Sequence, residues 1–383
     1  LYWNDLSVQM TDGTFLLHNC HGFIADGHMC GILGPSGAGK STTLSALGGT
    51  IAPQSGLEVN GDILYYNADT QTTEHLQVQG GRVAWLQQKD AFFNMLTVEE
   101  TLELAAFLEL PQFSERQRLR RVRKMIDSLG LAKLKDRLIG DSALHHGLSG
   151  GEKRRLSLAL ELISSPKLFI GDEPTSGLDS TLSEKVVRLI KKLVKEREIP
   201  CILSLHQPSS SIWRMLDSVI LLAPGGRVCY FGPTHSAVAY FAKLGYSCPT
   251  QTNPAEFLLD LVSIDSEDPR AAGEDEARIM KLAAAFADTR HAAVATIPKN
   301  AVNIDQDKMI AAEKRRSGFR FRRIQRFGRL LLRSWRQNIR NYRVNILRLL
   351  VSAGNAYLFT NVFGSIKKGL FTAKSVADRT ALL

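Results

Sequence analysis

A stretch whose residue types and spacing suit phosphate binding runs from Gly34 to Thr42. It reads Gly-Pro-Ser-Gly-Ala-Gly-Lys-Ser-Thr, which matches the P-loop pattern G-x-x-x-x-G-K-S/T. Its glycines let backbone N–H groups turn toward phosphate oxygens without a Cβ clash. In a P-loop the lysine, here Lys40, reaches the β- and γ-phosphates, and the hydroxyl of Ser41 binds Mg²⁺. The candidate nucleotide-binding residues of this loop are Gly34, Pro35, Ser36, Gly37, Ala38, Gly39, Lys40, Ser41 and Thr42.

The sequence around this loop has the context that the motif needs. Met29 to Leu33 is apolar apart from Gly31 and predicts a buried strand. Ser41 to Leu47 predicts the first turns of a helix. A glycine-rich loop between a strand and a helix N-terminus offers backbone N–H groups and a positive helix end to an anion. The stretch therefore predicts a nucleotide site.

Two other apolar runs end in polar residues that can act on a phosphate. Leu168 to Ile170 predicts a buried parallel strand and leads into Asp172 and Glu173. Cys201 to Leu205 predicts a second such strand and leads into His206. Ligands of open α/β sheets bind beyond the carboxyl ends of the strands, so we expect these side chains to converge on the P-loop.

Two more stretches complete the set of candidate residues. Gln88 ends the apolar run that begins at Arg82, and a predicted helix opens with the sequence L-S-G-G-E. A serine hydroxyl, glycine amides and a positive helix end suit a phosphate. The residues of this second motif are Leu148, Ser149, Gly150, Gly151 and Glu152.

The order of these motifs over residues 1–235 resembles an ATP-binding-cassette (ABC) ATPase. Three further stretches resemble the G subfamily, the White-type half-transporters: D-E-P-T-S-G-L-D-S from Asp172, H-Q-P-S-S from His206 and N-P-A-E-F from Asn253. The resemblance implies an α/β fold, a P-loop NTPase of the ABC type with an antiparallel β-subdomain and a helical subdomain. A basic amphipathic helix and one transmembrane helix are expected after it.

The resemblance also assigns roles to individual residues. Lys40 would bind the β- and γ-phosphates of ATP. Glu173 would polarise the attacking water and His206 would contact the γ-phosphate, which makes these two the catalytic residues. The Mg²⁺ ligands, direct or through water, would be Ser41, Gln88 and Asp172.

The family further implies a dimer of two half-transporters with two ATP molecules sandwiched between the cassettes. Leu148 to Glu152 would then bind the γ-phosphate of ATP held by the partner, and Asp179 would lie in the loop that links the two sites. Whether the partner is a second copy or a different chain stays open. The expected substrates are lipids or lipophilic small molecules.

Four positions depart from the family pattern or stay open. Gly171 stands where an aliphatic residue usually precedes the aspartate, Lys89 where an acid usually follows the glutamine, and His146 where arginine is common. Phe15 is our candidate for the aromatic residue that stacks on adenine. A core position is an equally good interpretation of Phe15, because Leu16 and Leu17 follow it.

We expect a nucleotide-binding domain over residues 1–263, with its helical subdomain at about 97–150. The sequence Thr97-Val98-Glu99-Glu100 is a capping box that opens a helix there. Residues 57–66 predict a β-hairpin with Asn60-Gly61 as its turn. Residues 264–312 are expected to form a linker.

The charge of the chain is concentrated in one segment. The net charge is +10, and residues 313–343 contain twelve Lys/Arg and one acid, so the remainder sums to −1. Aromatic and aliphatic residues recur there at helical spacing, which predicts a basic amphipathic helix at a membrane interface. Such a localised charge argues against a nucleic-acid partner and favours membrane lipid.

A membrane span is expected next, over residues 344–364, with the nucleotide-binding domain on the cytoplasmic side because the basic segment precedes it. Residues 365–383 resemble the beginning of a membrane domain. We therefore expect a multi-pass membrane protein whose sequence is truncated here after the first membrane helix.

The resemblance implies the ATP-binding and ATP-hydrolysing half of a membrane exporter, which couples ATP-driven dimerisation of the cassettes to transport, and two alternatives to it remain open. Five widely spaced cysteines without a C-x-x-C pair predict reduced packing residues in a cytosolic domain. A soluble ABC ATPase not involved in transport is one alternative, but neither a second P-loop nor a long coiled-coil insertion is present. A non-hydrolysing regulatory subunit is the other, and the intact Lys40, Glu173, His206 and Ser149 argue against it.

Overall fold

A single ten-stranded sheet organises the computed structural model of the chain, which describes residues 1–51, 56–67, 72–75, 83–140, 147–265, 269–293 and 319–363. The spatial order of the strands is β5-β4-β1-β2-β10-β9-β3-β8-β7-β6. The strands are β1 Tyr2–Met10, β2 Phe15–Phe23, β3 Met29–Leu33, β4 Leu57–Asn67, β5 Thr72–His75, β6 Val83–Leu86, β7 Leu168–Gly171, β8 Cys201–Ser204, β9 Ser218–Ala223 and β10 Arg227–Pro233.

Helices cover the sheet and extend beyond it. They are α1 Lys40–Leu47, α2 Val98–Glu109, α3 Glu115–Ser128, α4 Gly150–Leu162, α5 Ser180–Arg197, α6 Ser210–Trp213, α7 Thr234–Lys243, α8 Pro254–Val262, α9 Pro269–Ala293, α10 Phe319–Arg340 and α11 Tyr342–Phe363, with a 3-10 turn at Ala132–Leu134. The fold is the predicted mixed α/β fold with its antiparallel and helical additions.

The sheet has an antiparallel part and a parallel part. Strands β1, β2, β4 and β5 pair antiparallel, whereas β3, β6, β7 and β8 pair parallel, with β9 parallel to β3. Consecutive residues of β3 alternate between two apolar cores, because successive side chains of a strand point to opposite faces. The parallel part therefore has both faces covered and all its carboxyl ends at one edge.

The predicted hairpin over residues 57–66 is wrong, because β4 runs through Asn60-Gly61 without turning. Gly61 has a φ of +106°, and a Cβ on it would lie 2.6 Å from the carbonyl oxygen of Asp5. The pairing of β1 with β4 is irregular between Asn4 and Ser7, opposite this glycine. Glycine thus accommodates a bulge here, and sheet pairing overrides the local turn preference.

The helical subdomain is built as the sequence predicts. The hydroxyl of Thr97 accepts a hydrogen bond from the backbone N–H of Glu100, and the carboxylate of Glu100 accepts one from the backbone N–H of Thr97. Both halves of the capping box are therefore present at the start of α2. The same device opens α3 with Ser114 and Gln117.

The region predicted as a linker begins with a long helix, α9. Ile279 and Leu282 of α9 are buried, and the ring of Phe286 contacts the rings of Tyr230 and Tyr240. The first part of residues 264–312 therefore packs against β10 and α7. Residues 294–318, and with them the rest of the linker and the start of the basic segment, lie outside the described residues.

The predicted basic helix is present as α10 and lies against the helical subdomain. Arg336 and Arg340 pair with Glu100, and Arg329 pairs with Glu115. Its apolar stripe is exposed instead of buried, with exposed fractions of 54–69%. The stripe consists of Ile324, Phe327, Leu331, Trp335 and Ile339.

The segment expected to span a membrane over residues 344–364 forms the helix α11 as far as Phe363. Within the described ranges, no helix combines the length and the apolar composition that crossing a membrane requires. Arg348 and three asparagines lower the hydropathy of α11. The expected transmembrane helix is therefore not confirmed, and residues 365–383 lie outside the described part of the chain.

Candidate functional site

The P-loop links β3 to α1 and is shaped by close backbone contacts. Gly39 has a φ of +92°, and a Cβ on it would lie 2.3 Å from the carbonyl oxygen of Leu16. A Cβ on Gly34 would lie 2.4 Å from the carbonyl oxygen of Leu222. Real Cβ atoms do not approach an oxygen so closely, so the two glycines are required by packing as well as by phosphate binding.

Lys40 begins α1 and is 7% exposed. Its Nζ donates hydrogen bonds to the carbonyl oxygens of Gly34 and Pro35, at 2.8 and 2.9 Å. Burial lowers the pKa of Lys40 from its ordinary value, and the nearby carboxylates of Glu173 and Asp172 oppose that shift. The ammonium group is therefore held across the mouth of the loop, where an incoming phosphate would meet it.

Asp172, which follows β7, lies beside the P-loop helix. The Oγ of Ser41 donates a hydrogen bond to Oδ1 of Asp172 at 3.2 Å, across 131 residues of sequence. The structure thus brings together two of the three residues predicted to hold Mg²⁺. Two oxygen atoms that occupy neighbouring positions around an octahedral Mg²⁺ are about 2.9 Å apart. The spacing of Oγ of Ser41 and Oδ1 of Asp172 therefore fits that ion.

Ser204 is a site residue that the sequence reasoning missed. Its Oγ donates to Oδ1 of Asp172 at 2.6 Å and accepts a hydrogen bond from the backbone N–H of Glu173 at 2.8 Å. It is fully buried at the end of β8. The sequence feature that could have identified Ser204 is its position two residues before His206, at the carboxyl end of a strand predicted to lead into the site.

Glu173 and Gln88 meet as the two carboxyl-end loops converge. The Nε2 of Gln88 donates to Oε2 of Glu173 at 2.7 Å and contacts Oγ of Ser176 at 3.4 Å. Glu173 has a φ of +43°, a left-handed conformation that costs a non-glycine residue of order 1–2 kcal/mol. Such a strained residue at a polar cleft is a mark of functional geometry.

His206 is exposed and lines the same cavity as Glu173, with a volume of about 460 Å³. The cavity also contains Ser176 and Pro208. Asn253, the first residue of the N-P-A-E-F stretch, donates from Nδ2 to the carbonyl oxygen of Pro208 at 2.8 Å. This bond anchors the loop that carries His206 to the start of α8.

The L-S-G-G-E motif forms the N-terminus of α4. Ser149 is the N-cap, and the carboxylate of Glu152 accepts a hydrogen bond from the backbone N–H of Ser149 at 2.8 Å. Partial burial acts to raise the pKa of Glu152, but hydrogen bonds to Ser149 and nearby arginines outweigh it and the pKa is lowered. The motif therefore has an ordered helix start that can receive an anion.

Asp179 lies close to this helix start as the N-cap of α5. Its Oδ1 accepts a hydrogen bond from the backbone N–H of Leu182 at 2.9 Å. The side chain of Leu182 lies 3.2 Å from where a Cβ on Gly151 would be. The segment after Glu173 thus packs directly on the L-S-G-G-E helix.

Phe15 lies at the start of β2, next to the P-loop. It is 37% exposed, and its ring meets the ring of His18 edge-to-face at 4.8 Å. Leu17, two residues later, is fully buried. The core position that we considered for Phe15 is therefore not observed, and its stacking on adenine stays a prediction.

Gly171 does not interrupt β7. It is buried and pairs with Leu86 of β6 and Leu203 of β8. A Cβ on it would lie 2.7 Å from Cδ2 of Leu203, so the neighbouring leucine fills the space of the aliphatic side chain that the family usually has here. Lys89 is exposed, and His146 lies outside the described residues.

Comparisons with known proteins identify the families that this chain resembles. The family described as ABC transporter matches residues 17–176, and the family described as ABC-2 type transporter matches residues 206–279. ABC transporter G family member 7 of Arabidopsis thaliana is 34% identical over an alignment 398 positions long, which covers 100% of this chain and 52% of the relative.

The protein White of Drosophila melanogaster is 33% identical over 91% of this chain and 49% of its own length. ABC transporter G family member 1 of Dictyostelium discoideum is 39% identical over 66% of this chain and 31% of its own length. The chain belongs to the G subfamily of ABC transporters.

This G-subfamily chain carries an ABC ATPase domain, which implies nucleotide binding. The ABC-2 match and the G-subfamily relatives make it a membrane protein. The chain spans about half the length of ABC transporter G family member 7 and of White, at 52% and 49%.

Proposed function

We propose that the chain is the ATP-binding and ATP-hydrolysing half of a membrane exporter. The observation that carries this proposal is the convergence of Lys40, Ser41, Asp172, Gln88 and Glu173 at one edge of the parallel sheet. These residues come from three separate stretches of sequence. Ser41 bonds to Asp172 and Gln88 bonds to Glu173, and Ser204 links the two pairs. Lys40 bonds to the loop carbonyls and lies near both carboxylates. A phosphate-binding loop next to a carboxylate and a glutamine suits phosphoryl transfer to water.

The roles proposed for the residues follow from their positions. Lys40, now bonded to two loop carbonyls, turns its ammonium to the β- and γ-phosphates when ATP enters. Ser41, Asp172 and Gln88 hold Mg²⁺, directly or through water, and the ion supplies positive charge to the phosphate oxygens. Positioning and charge stabilisation carry most of the catalysis in such reactions.

Glu173 is the proposed base that orients and polarises the attacking water. Its carboxylate already accepts a hydrogen bond from Gln88 at 2.7 Å, so the glutamine that helps hold the metal also fixes the direction of the base. His206, which lines the same cavity, contacts the γ-phosphate. In this arrangement hydrolysis requires both residues, whereas ATP binding depends mainly on the P-loop.

A second half-transporter completes the site in this proposal. The hydroxyl and glycine amides of the L-S-G-G-E helix bind the γ-phosphate of ATP held by the partner, and Asp179 links the two sites. ATP binding closes the two cassettes and hydrolysis reopens them. Since both the P-loop set and the L-S-G-G-E set are intact in one chain, a homodimer is competent at both positions.

The exported molecules are proposed to be lipids or lipophilic compounds, and the cassette is proposed to lie on the cytoplasmic side of the membrane. The G-subfamily relatives and the basic helix α10 beside the cassette support this arrangement. The movement of the cassettes would pass through α10 to the membrane part.

The Glu173→Gln variant tests the central role in this proposal. We expect it to bind ATP with nearly unchanged affinity and to lose hydrolysis by about a hundredfold or more, because only the base is removed. Phosphate release and equilibrium binding of a fluorescent ATP analogue measure the two quantities. The control is Glu196→Gln, an exposed glutamate of α5. Turnover retained in Glu173→Gln would show that another group activates the water.

A further inference from the structure

The buried side chain of Arg154 joins three segments of the ATP site. It is 4% exposed and lies on α4, five residues after Ser149. Its Nη1 donates to the carbonyl oxygen of Gln87 at 2.6 Å and to Oδ1 of Asp90 at 2.8 Å. Its Nε donates to the carbonyl oxygen of Pro174 at 2.8 Å, and its Nη2 donates to the carbonyl oxygen of Glu173 at 3.4 Å.

The acceptors of Arg154 belong to the segments that carry the proposed chemistry. Gln87 precedes Gln88, and the carbonyl group of Glu173 belongs to the proposed base itself. Asp90 also accepts a hydrogen bond from Oγ of Ser157, at 2.6 Å, so α4 holds that carboxylate at two points. A planar guanidinium with five donors in a fixed fork can hold several acceptors in one geometry.

The backbone of Glu173 is consequently held from both sides. Its N–H donates to Ser204, and its carbonyl oxygen faces Arg154. The left-handed conformation of Glu173, with a φ of +43°, is intrinsically unfavourable and persists only where its surroundings impose it. A displacement of Arg154 would therefore move the proposed base.

We propose that Arg154 is a positioning residue that transmits the state of the L-S-G-G-E helix to Gln88 and Glu173. The inference rests on the proposed function, in which Ser149 binds ATP held by the partner. When that ATP draws the N-terminus of α4 toward it, the helix moves as a rigid body and Arg154 moves the backbone of Gln87 and Glu173. Each ATP site is thereby aligned for hydrolysis by occupation of the other.

Arg155 provides a matched control on the same helix. Its Nη1 donates to the carbonyl oxygens of Leu129 and Gly130, both at 3.3 Å. These acceptors lie at the end of α3 and away from the segments that carry Gln88 and Glu173. Arg155→Met thus tests the loss of an arginine from α4 without the loss of a hydrogen-bonded link to Gln87 and Glu173, although the charge of Arg155 also acts on Glu152.

The experiment compares Arg154→Met with Arg155→Met in the full-length transporter. Steady-state hydrolysis is measured against ATP concentration, and the affinity of a fluorescent ATP analogue is measured separately. For Arg154→Met we expect kcat to fall about ten- to a hundredfold, because small misplacements of catalytic groups have effects of that size. The Hill coefficient should fall to about one, since the two sites no longer influence each other. The affinity for the analogue should change less than about twofold.

Two further variants keep the test informative if Arg154→Met folds poorly. Arg154→Met combined with Asp90→Asn removes both charges, which avoids leaving an unpaired carboxylate in the protein. Its thermal stability should recover while its kcat and Hill coefficient stay low. Arg154→Lys keeps the charge but not the fork, and should recover only part of the cooperativity.

Several results would overturn the proposal. If Arg154→Met keeps the kcat and Hill coefficient of Arg155→Met, Arg154 does not position the site. If the Arg154→Met, Asp90→Asn pair restores kcat and cooperativity together with stability, the role of Arg154 is only to neutralise Asp90. If the unmodified transporter hydrolyses no ATP, the proposed function fails first. If it hydrolyses ATP without cooperativity, the proposed function stands and this inference fails.

Discussion

At the scale of single residues, the hydroxyl of Ser204 decides how Asp172 and Glu173 are placed relative to each other. It donates to the carboxylate of Asp172 and accepts from the backbone N–H of Glu173. One buried serine therefore connects a proposed Mg²⁺ ligand to the proposed base. Its loss leaves a buried donor and a buried acceptor without their partner, which costs about 1–3 kcal/mol.

Ser204→Ala is accordingly expected to lower kcat about tenfold and the free energy of unfolding by about 1–3 kcal/mol, with a smaller effect on ATP affinity. Phosphate release and chemical denaturation measure these effects. The control is Ser128→Ala, whose hydroxyl bonds only within α3. An unchanged kcat in Ser204→Ala would mean that Glu173 is held by its other contacts.

At the scale of secondary-structure elements, α10 and α2 form a charged joint. Arg340 donates to both carboxylate oxygens of Glu100, at 2.6 and 2.9 Å, and to the carbonyl oxygen of Met95 at 2.9 Å. The guanidinium of Arg333 lies 4.1 Å from the centre of the Phe93 ring. The Arg side of the amphipathic helix thus binds the cassette, and the apolar side is left exposed.

The Glu100→Gln variant removes the charge of this joint without removing the cap of α2. Glutamine can replace glutamate in a capping box, so α2 should stay intact while α10 loses about 1 kcal/mol of binding to the cassette. Hydrogen exchange over residues 324–340 should become faster than in the parent chain. The control is Glu115→Gln, which removes a single and more exposed ion pair. Unchanged hydrogen exchange in Glu100→Gln would show that the cation–π and backbone contacts are sufficient to hold α10 on the cassette.

The same joint should respond to acid. Partial burial acts to raise the pKa of Glu100, but hydrogen bonds from Arg340 and Thr97 and the charges of Arg340 and Arg336 outweigh it, so the pKa is lowered. The joint is therefore fully formed above the ordinary pKa of 4.5 and is lost as the pH falls through the lowered value. Hydrogen exchange of α10, corrected for intrinsic rates, should be constant down to about pH 5 and rise below it. A change between pH 6 and 8 would point to a different group.

At the scale of the whole molecule, the start of the L-S-G-G-E helix is capped by hydrogen bonds between Ser149 and Glu152. In the proposed dimer, its glycine N–H groups face the partner. The proposal thus predicts a change of mass on ATP binding. For the chain carrying Glu173→Gln, the mass in detergent should rise from 42.4 kDa toward twice that value when Mg-ATP is added. Light scattering after size exclusion measures it.

The control for this experiment is Ser149→Arg in the same background, which should block the increase in mass without removing the P-loop. A chain that binds ATP yet stays monomeric would contradict dimerisation by this chain alone. In that case a different half-transporter would be the expected partner.

The sequence by itself determined the parts of the site whose physics is local. Glycine spacing, capping boxes and polar residues after apolar strands act on the backbone within a few residues. The sequence therefore predicted that the P-loop joins a strand to a helix and that Asp172 follows a strand, as the structure shows. The chemical roles of these residues stay predictions. Only the tertiary structure decided the contacts made across the sheet. Ser204 and Arg154 act on residues 19 to 67 positions away, and no local pattern distinguishes them from other serines and arginines.

Contacts between distant residues also explain why the predicted hairpin was wrong, and why the sequence did not show which side of α10 contacts the cassette. Asn60-Gly61 has the local preference of a turn, but its pairing with β1 places Gly61 in a bulge. Periodicity identified the basic and apolar sides of α10 correctly, yet it cannot tell which side meets protein. The basic side contacts the cassette because its arginines pair with the carboxylates of Glu100 and Glu115, which lie more than 200 positions earlier in the chain.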